Sequence, residues 1–351
     1  MPVNPLTAPA SVATAWHWLC ESRKNFPANA DIWHLRFHRQ RLLPEILAWL
    51  DEGQYRFSPM QIVTRANGEP LALWSAADAF VLKLLTLHLQ SILPVHPSCT
   101  HVKGHGGHKF ALRQTHRWSR GGAYTFVGKT DIRGYYANIN KNQLYQLLTR
   151  YISSPIVRQL LAQFLDYCVE QGGNFHTPSS GIPRGCALSP LLAGFHLFEL
   201  DRELARRKGI RYLRFMDDLI LLCQTRWQLR RAIATMNRWF ETAGLQQHPD
   251  KTYIGRIKNG FDWLGYRFDQ RGLVRVAPRA VERYKIKRHR LYEQARCRTS
   301  NTTHVWQRVV EYDQRWRRWL IAGLPAITAT LLKNAYDKPC EVRTPFGMPC
   351  R

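Results

Sequence analysis

Residues 214–222 read RFMDDLILL, two adjacent aspartates inside a run otherwise apolar enough for a protein core. In a continuous strand neighbouring side chains point to opposite faces, so a straight segment would drive one carboxylate into the core. A tight bend at Met216, Asp217 and Asp218 resolves the conflict, with RYLRF as the incoming strand and LILLC as the outgoing one. This predicts a hairpin with both carboxylates on an exposed turn. Carboxylates held side by side repel and raise each other's pKa unless cations keep them ionised. Magnesium suits that role, because it takes oxygen ligands and keeps open positions for phosphate.

A third carboxylate, Asp131, stands in KTDIRGYYANI, just after a strand-like run and before aromatic residues. One and two aspartates on strand-borne segments supply the ligands that two magnesium ions need to align an attacking hydroxyl with a nucleoside triphosphate. An isolated pair of aspartates is most often a solvated turn; its conjunction with other segments carries the reading here.

With these aspartates the chain resembles the reverse transcriptases, and more closely the bacterial branch related to group II intron enzymes. DIRGYY at 131–136 resembles the first palm motif. The resemblance implies that Asp131 and the backbone carbonyl of Ile132 bind metal beside Asp217 and Asp218, and that Tyr136 gates against a ribose 2′-hydroxyl. FMDD resembles the family's Y-x-D-D box, with Phe215 where tyrosine is usual. GIPRGCALSPLLAGF at 181–195 is similar to G-x-P-Q-G-x-x-x-S-P, which implies template and nucleotide contacts by Gly181, Pro183, Arg184, Gly185 and Ser189. GLQQHPDKT carries Lys251 at the family's general-acid position, and FDWLGY resembles the primer grip, here Trp263, Leu264, Gly265 and Tyr266. Upstream, NGEPLALWSAAD and THVKGHGGHKFALR echo two finger patterns. The likeness spans roughly residues 55–270 in the family's order.

Each motif also has a physical reading of its own. Gly181 and Gly185 bracket Pro183 and let backbone approach a nucleic-acid strand, and a helix starting near Ser189 offers N–H groups to phosphate. Lys251, in a loop-like stretch, reaches a leaving pyrophosphate as proton donor or as a fixed charge. The departures bear on nucleotide handling. Arg184 replaces the usual glutamine, and Glu69 replaces the arginine before the finger proline. Triphosphate contacts are therefore expected from Lys83, Lys103, Lys109 and Arg113. His101, His105 and His108 fall in a glycine-rich stretch without a cysteine at metal spacing, and read as a phosphate-facing basic loop rather than a zinc site.

Composition agrees with a polyanionic partner, since Lys+Arg 51 against Asp+Glu 25 gives a net charge of +26. A 45% hydrophobic content excludes disorder. Residues 275–320 mix arginines with Tyr and Trp, the pattern of helices that track a phosphate backbone and pack or stack through aromatics. The eight cysteines are scattered without a CxxC pair and read as reduced, mostly buried thiols. With no secretory leader and no run of 18 apolar residues, the expectation is a cytoplasmic chain with no membrane partner.

Coarse patterning gives helical character at 33–50 interrupted at Pro44, an extended 55–65 closed by an Asn67-Gly68 turn, and an apolar helix ending before Pro94. A strand follows from 125, a helix capped by Asn140, a helix over 186–207, the hairpin at 210–223 and an amphipathic helix over 226–243. The fold class is α+β, and the resemblance implies a right-hand polymerase with fingers, a palm built on an antiparallel sheet, and a helical thumb. The implied boundaries are an N-terminal helical region 1–54, fingers 55–128, palm 129–270 with a finger insertion at about 140–180, and a basic helical thumb with C-terminal tail 271–351. The implied activity is RNA-directed DNA synthesis with two Mg2+ ions, an RNA template, a DNA primer and cDNA product, and dNTPs. Compact length and absent accessory domains favour a dedicated structured non-coding RNA in antiviral defence. An intron-derived, retron or diversity-generating enzyme, a protein-primed or untemplated synthesiser, and a non-catalytic RNA-binding scaffold are the alternatives. No motif encodes an oligomeric state.

Overall fold

Apolar runs separated by turn residues build the sheet that carries the aspartates. In the computed structural model, which describes residues 5–64, 70–298 and 302–323, Ile210–Phe215 and Asp218–Cys223 form the expected antiparallel hairpin. Asp218–Cys223 pairs on its other edge with Phe126–Asp131, and Tyr253–Arg256 completes the four-stranded sheet beyond that strand. Residues 219–223 are buried throughout, which explains why LILLC lacks polar alternation. Helix Arg226–Thr242 packs on the two central strands through a stripe of Leu229, Ala232, Met236 and Phe240. A capping box starts it: Gln228 N–H donates to Thr225 Oγ1, and Thr225 N–H donates to Gln228 Oε1. Gly128 permits the close approach, since a Cβ there would lie 2.9 Å from Leu229.

Packing divides the chain into two units, Met1–Gly107 with Phe126–Ile254, and His108–Thr125 with Gly255–Arg351. The first unit also holds a sheet in the order Pro70–Leu73, Met60–Thr64, Val169–Gln171, Asn174–His176. The expected turn at Asn67 and Gly68 lies outside the described residues. Ser75 caps the helix Ala76–Leu89 by accepting Asp78 N–H, and nearly every side chain of this helix is buried beneath Pro9–Ser22 and Asp31–Phe37. Asn140 caps Lys141–Thr149 as expected.

Three elements depart from the sequence pattern. The N-terminal break falls at His38, between Asp31–Phe37 and Arg39–Asp51, and Pro44 sits inside the second helix. The bond that Pro44 cannot make would have used the carbonyl of Gln40, an exposed residue that water can serve. The helix expected over 186–207 is two, Leu188–His196 and Phe198–Ala205. They part where buried side chains take the carbonyls: Tyr135 Oη donates to Ala193 O, and Arg214 donates to both Ala193 O and Gly194 O. The glycine-rich stretch read as a loop leads into a helix, Gly107–Arg120, with Ala111, Leu112, Thr115 and Ser119 buried. Gly104 and Gly106 take positive φ in the turn before it, and Gly107 does so at its first residue.

Within the second unit, Phe261–Trp263, Tyr266–Asp269 and Gly272–Val276 form an antiparallel sheet. Helices Pro278–Arg298 and Thr302–Gly323 meet through aromatic stacking, with Tyr284 4.6 Å from Trp316 and 5.6 Å from Tyr312. Tyr284 Oη and Arg288 Nε both donate to the Asp313 carboxylate. These aromatics hold the helix pair together. The described thiols are free; Cys99 and Cys223 are buried, while Cys20, Cys168 and Cys186 are only half-buried, fewer inside than expected. The side chains of Cys297, Cys340 and Cys350 lie outside the described residues. Among the described residues no helix is long and apolar enough to cross a membrane.

Candidate active site

The hairpin turn and the neighbouring strand bring the three aspartates together. Asp131 ends its strand directly opposite Asp218, and Ile132 N–H donates to Asp217 O at 3.0 Å. One carboxylate oxygen from each of Asp131, Asp217 and Asp218 lies within 4.8 Å of the others. Asp131 is buried and the pair is half-buried, so the turn is less exposed than the sequence suggested. Burial, reinforced by Asp217 and Asp131, pushes the Asp218 carboxyl up to about 7, and burial likewise raises Asp217. Three hard oxygen donors in mutual repulsion are a set that a divalent cation relieves. Lys251 Nζ is paired with Asp131 Oδ1 at 2.8 Å.

Tyr136 follows Gly134, a left-handed residue that turns the chain after Asp131. Its ring is buried, and burial together with the nearby Asp217 raises its hydroxyl to about 12. Ile182 N–H donates to Tyr136 O and Gly181 N–H to Ile139 O, each at 2.8 Å. At φ +84 a Cβ on Gly181 would meet the carbonyls of Tyr136 and Ala137 at 2.7 Å, so this glycine serves packing rather than strand approach. Gly185, at φ +83, has open space around it. Arg184 is exposed and lies over the Tyr136 ring, 5.7 Å from its centroid. Pro183 is buried, and Ser189, also buried, donates to Pro183 O and lies 2.9 Å from Cys186 Sγ. Ser189 therefore shapes the loop from inside.

The other expected contacts divide. Lys103 is exposed in the first unit, and Lys109 and Arg113 are exposed in the second. Lys83 is buried against the Trp18 ring at 5.3 Å, and burial lowers its pKa, so it faces inward. In the second unit Trp263 and Tyr266 also point inward: Tyr266 stacks on Trp319 at 4.7 Å and donates to Trp319 O. Leu264 and Gly265, both at positive φ, form the turn between them, and a Cβ on Gly265 would strike Trp319 at 2.6 Å.

The histidines are not a phosphate-facing loop. His105 lies 3.0 Å from Cys99 O, and His108 lies 3.2 Å from Leu264 O. His101 does more, since its Nε2 donates to Pro190 O while its Nδ1 accepts Met216 N–H, both at 3.0 Å. Burial pushes His101 down to about 4, keeping it in the neutral form that this bonding requires. Met216 takes φ 57, unusual for a residue with a side chain, and its carbonyl accepts from Arg214 Nη1 at 3.1 Å. Arg214 is fully buried and paired with the equally buried Asp201, which also accepts from Tyr212 Oη. Both ends of the Met216 residue are thus clamped next to the aspartate pair. Sequence reading missed His101 and Arg214 as positioning residues; for Arg214 the available signal was the pair of Arg214 in the strand IRYLRF and Asp201 in FELDRELA, opposite charges each set among apolar residues. We expect His101→Leu to lower kcat for nucleotide incorporation roughly 10- to 100-fold, because about 1 Å of misplacement has that effect. His101→Asn, whose Oδ1 can replace Nδ1 as acceptor, should recover most of the rate in a primer-extension assay.

An antiparallel sheet carrying paired aspartates on a hairpin turn and a third on the adjoining strand defines the palm of an α+β polymerase fold. The chain belongs to the reverse transcriptase (RNA-dependent DNA polymerase) family, whose model matches residues 77–268, more than half of its length. It is 28% identical over 172 residues to the group II intron-encoded protein LtrA of Lactococcus lactis subsp. cremoris, covering 47% of this chain and 28% of that protein. It is 23% identical over 278 residues to protein YkfC of Escherichia coli (strain K12), covering 65% of this chain and 72% of that one. The chain thus spans less than a third of the length of the intron-encoded LtrA that it matches. Among solved structures, a partial Cas6-RT-Cas1 and Cas2 complex aligns with 68% of this chain and 40% of its own at 21% identity, with a TM-score of 0.39.

Proposed function

We propose that the chain is an RNA-directed DNA polymerase that extends a DNA primer along an RNA template. The observation that carries this is the convergence of Asp131, Asp217 and Asp218 on one point of the palm sheet. These carboxylates and the carbonyl of Ile132 would hold two magnesium ions, which supply charge neutralisation to the primer hydroxyl and the triphosphate. The primer 3′-hydroxyl attacks the α-phosphate of a dNTP in line, and pyrophosphate leaves. Tyr136, fixed by the Gly181-Ile182 backbone, excludes a ribose 2′-hydroxyl. Arg184, over its ring, binds triphosphate oxygens as an exposed guanidinium. Lys251 leaves Asp131 to meet the charge of the departing pyrophosphate. We assign fingers to 55–128, palm to 129–270 and thumb to 271–351, the thumb's basic helices holding the template–primer duplex.

The test is extension of a DNA primer on an RNA template by the purified chain. Incorporation should disappear with a chelator and return with added magnesium. A chain that binds the template–primer yet extends nothing with magnesium or manganese would be a scaffold instead. Sequencing the co-purifying RNA separates a dedicated non-coding RNA of a defence system from an intron transcript as the natural template.

A further inference from the structure

The hairpin has two ends with opposite character. At the turn sit Asp217 and Asp218; at the other end, where Ile210 pairs with Cys223, the chain enters and leaves through ARRKGI and QTRWQLRRA. Five residue steps at about 3.3 Å place the two ends about 17 Å apart. Between Arg206 and Phe240 the only acidic residues are Asp217 and Asp218.

At the far end the incoming and outgoing segments are joined to each other. Gln224 N–H donates to Gly209 O, Gln228 Nε2 donates to Lys208 O at 3.3 Å, and a Cβ on Gly209 would run into the Gln224 and Gln228 side chains. Arg207 reaches Thr235 and pairs with Glu203, the acid nearest in sequence, whose other oxygen accepts from Trp239 Nε1. Around this seam Arg206, Lys208, Arg226, Arg230 and Arg231 are exposed. Trp227 stands among them at 69% exposure, with the Arg230 guanidinium 5.3 Å from its ring. A tryptophan this open has no role in the core, whose stripe on this helix runs through Leu229, Ala232 and Met236.

We propose that this ridge is a second nucleic-acid contact, separate from the catalytic cleft, that takes the phosphate backbone of the RNA and stacks one unpaired base on Trp227. Clustered exposed arginines attract phosphate, and an open indole flanked by arginine is a platform for a base. Unpaired bases beside a folded backbone are what RNA loops present, whereas a duplex presents none. The choice of RNA over other polyanions rests on the reading of the chain as an RNA-copying enzyme, and deepens it: the ridge holds RNA outside the segment being copied.

The test compares the wild-type chain of 351 residues with R226E/R230E/R231E and with Trp227→Ala. Binding of a fluorescent RNA hairpin with a single-stranded loop is titrated across a salt series, with single-stranded DNA and poly-glutamate as competitors. Extension of a short RNA template and DNA primer, which the cleft alone accommodates, is followed in parallel and reports the polymerase reading independently. The triple variant should lose affinity for the hairpin, and its salt slope should fall by about 2, near 0.7 per phosphate contact removed. Trp227→Ala should bind about 10- to 100-fold more weakly, Trp227→Phe should retain affinity, and short-template extension should be unchanged in all three. Ultraviolet crosslinking should mark the peptide that holds Trp227. Unchanged hairpin affinity in both the triple variant and Trp227→Ala would overturn the ridge. Equal competition by poly-glutamate would assign it to an acidic protein instead, and equal competition by single-stranded DNA would remove the choice of RNA.

Discussion

Asp217→Ala with Asp218→Ala is expected to leave a folded protein that incorporates no measurable dNTP. Cation-held charge at the reacting phosphate contributes several kcal/mol to such a transition state, and each 1.4 kcal/mol is about tenfold, so the loss should exceed about 10³-fold. Stability should move the other way. Asp218 is pushed up to about 7 from an ordinary 3.8. The folded protein therefore binds more protons than the unfolded chain between these values, and without metal its stability falls as pH rises from about 4 to about 7. Removing the carboxylates removes that penalty, so at pH 8 in chelator the double variant should melt higher than wild type by a few degrees. Magnesium should then raise the melting temperature of wild type and leave the variant where it was. A variant that melts lower in chelator would mean that the aspartates stabilise the turn rather than strain it.

Arg214→Leu should produce the largest loss of stability of any single substitution near the site. It leaves the Asp201 carboxylate buried without its partner, and strips donors from Ala193 O, Gly194 O and Met216 O at once. Breaking one side of a buried pair costs about 3–5 kcal/mol, and for a domain of this size that lowers the melting temperature by roughly 10 °C. Activity should fall further than stability explains, because the Met216 carbonyl is freed beside the aspartates. Arg214→Lys should recover little, since one ammonium cannot serve Asp201 and three carbonyls together. A double substitution, Arg214→Leu with Asp201→Leu, should regain much of the melting temperature, the buried charge being gone, but not the rate. Equal recovery of both would show that the network acts on the fold alone.

The hairpin was legible because its conflict is local: apolar flanks, two carboxylates and one bend that satisfies both. Cap residue Asn140 and the amphipathic helix after Thr225 were legible for the same reason, each being a pattern within a few residues, whereas the Ser75 cap emerged only in the structure. Three kinds of misreading had a common origin. His101 looked like a phosphate contact because its neighbours are glycines, yet it binds a backbone N–H that lies 115 residues away. The 186–207 helix looked continuous because its break is made by Tyr135 and Arg214, donors from other elements. Gly181 and Ser189 looked like nucleotide contacts, whereas one is packed against the Tyr136 backbone and the other is buried under Pro183.

What the sequence determined alone was the chemistry on offer: three aspartates on strand-borne segments, a basic chain, and the motif order of one polymerase family. Residue type and short-range periodicity fix these, because hydrophobic alternation and capping act over one or two turns. Only the tertiary structure decided which charges meet. Asp131 stands opposite Asp218 because of strand register, Lys251 reaches Asp131 across 120 residues, and Met216 N–H is held by His101 from 115 residues away. Such partners are chosen by the need of every buried donor and acceptor for a mate, a condition imposed by packing that leaves no spacing rule in the chain.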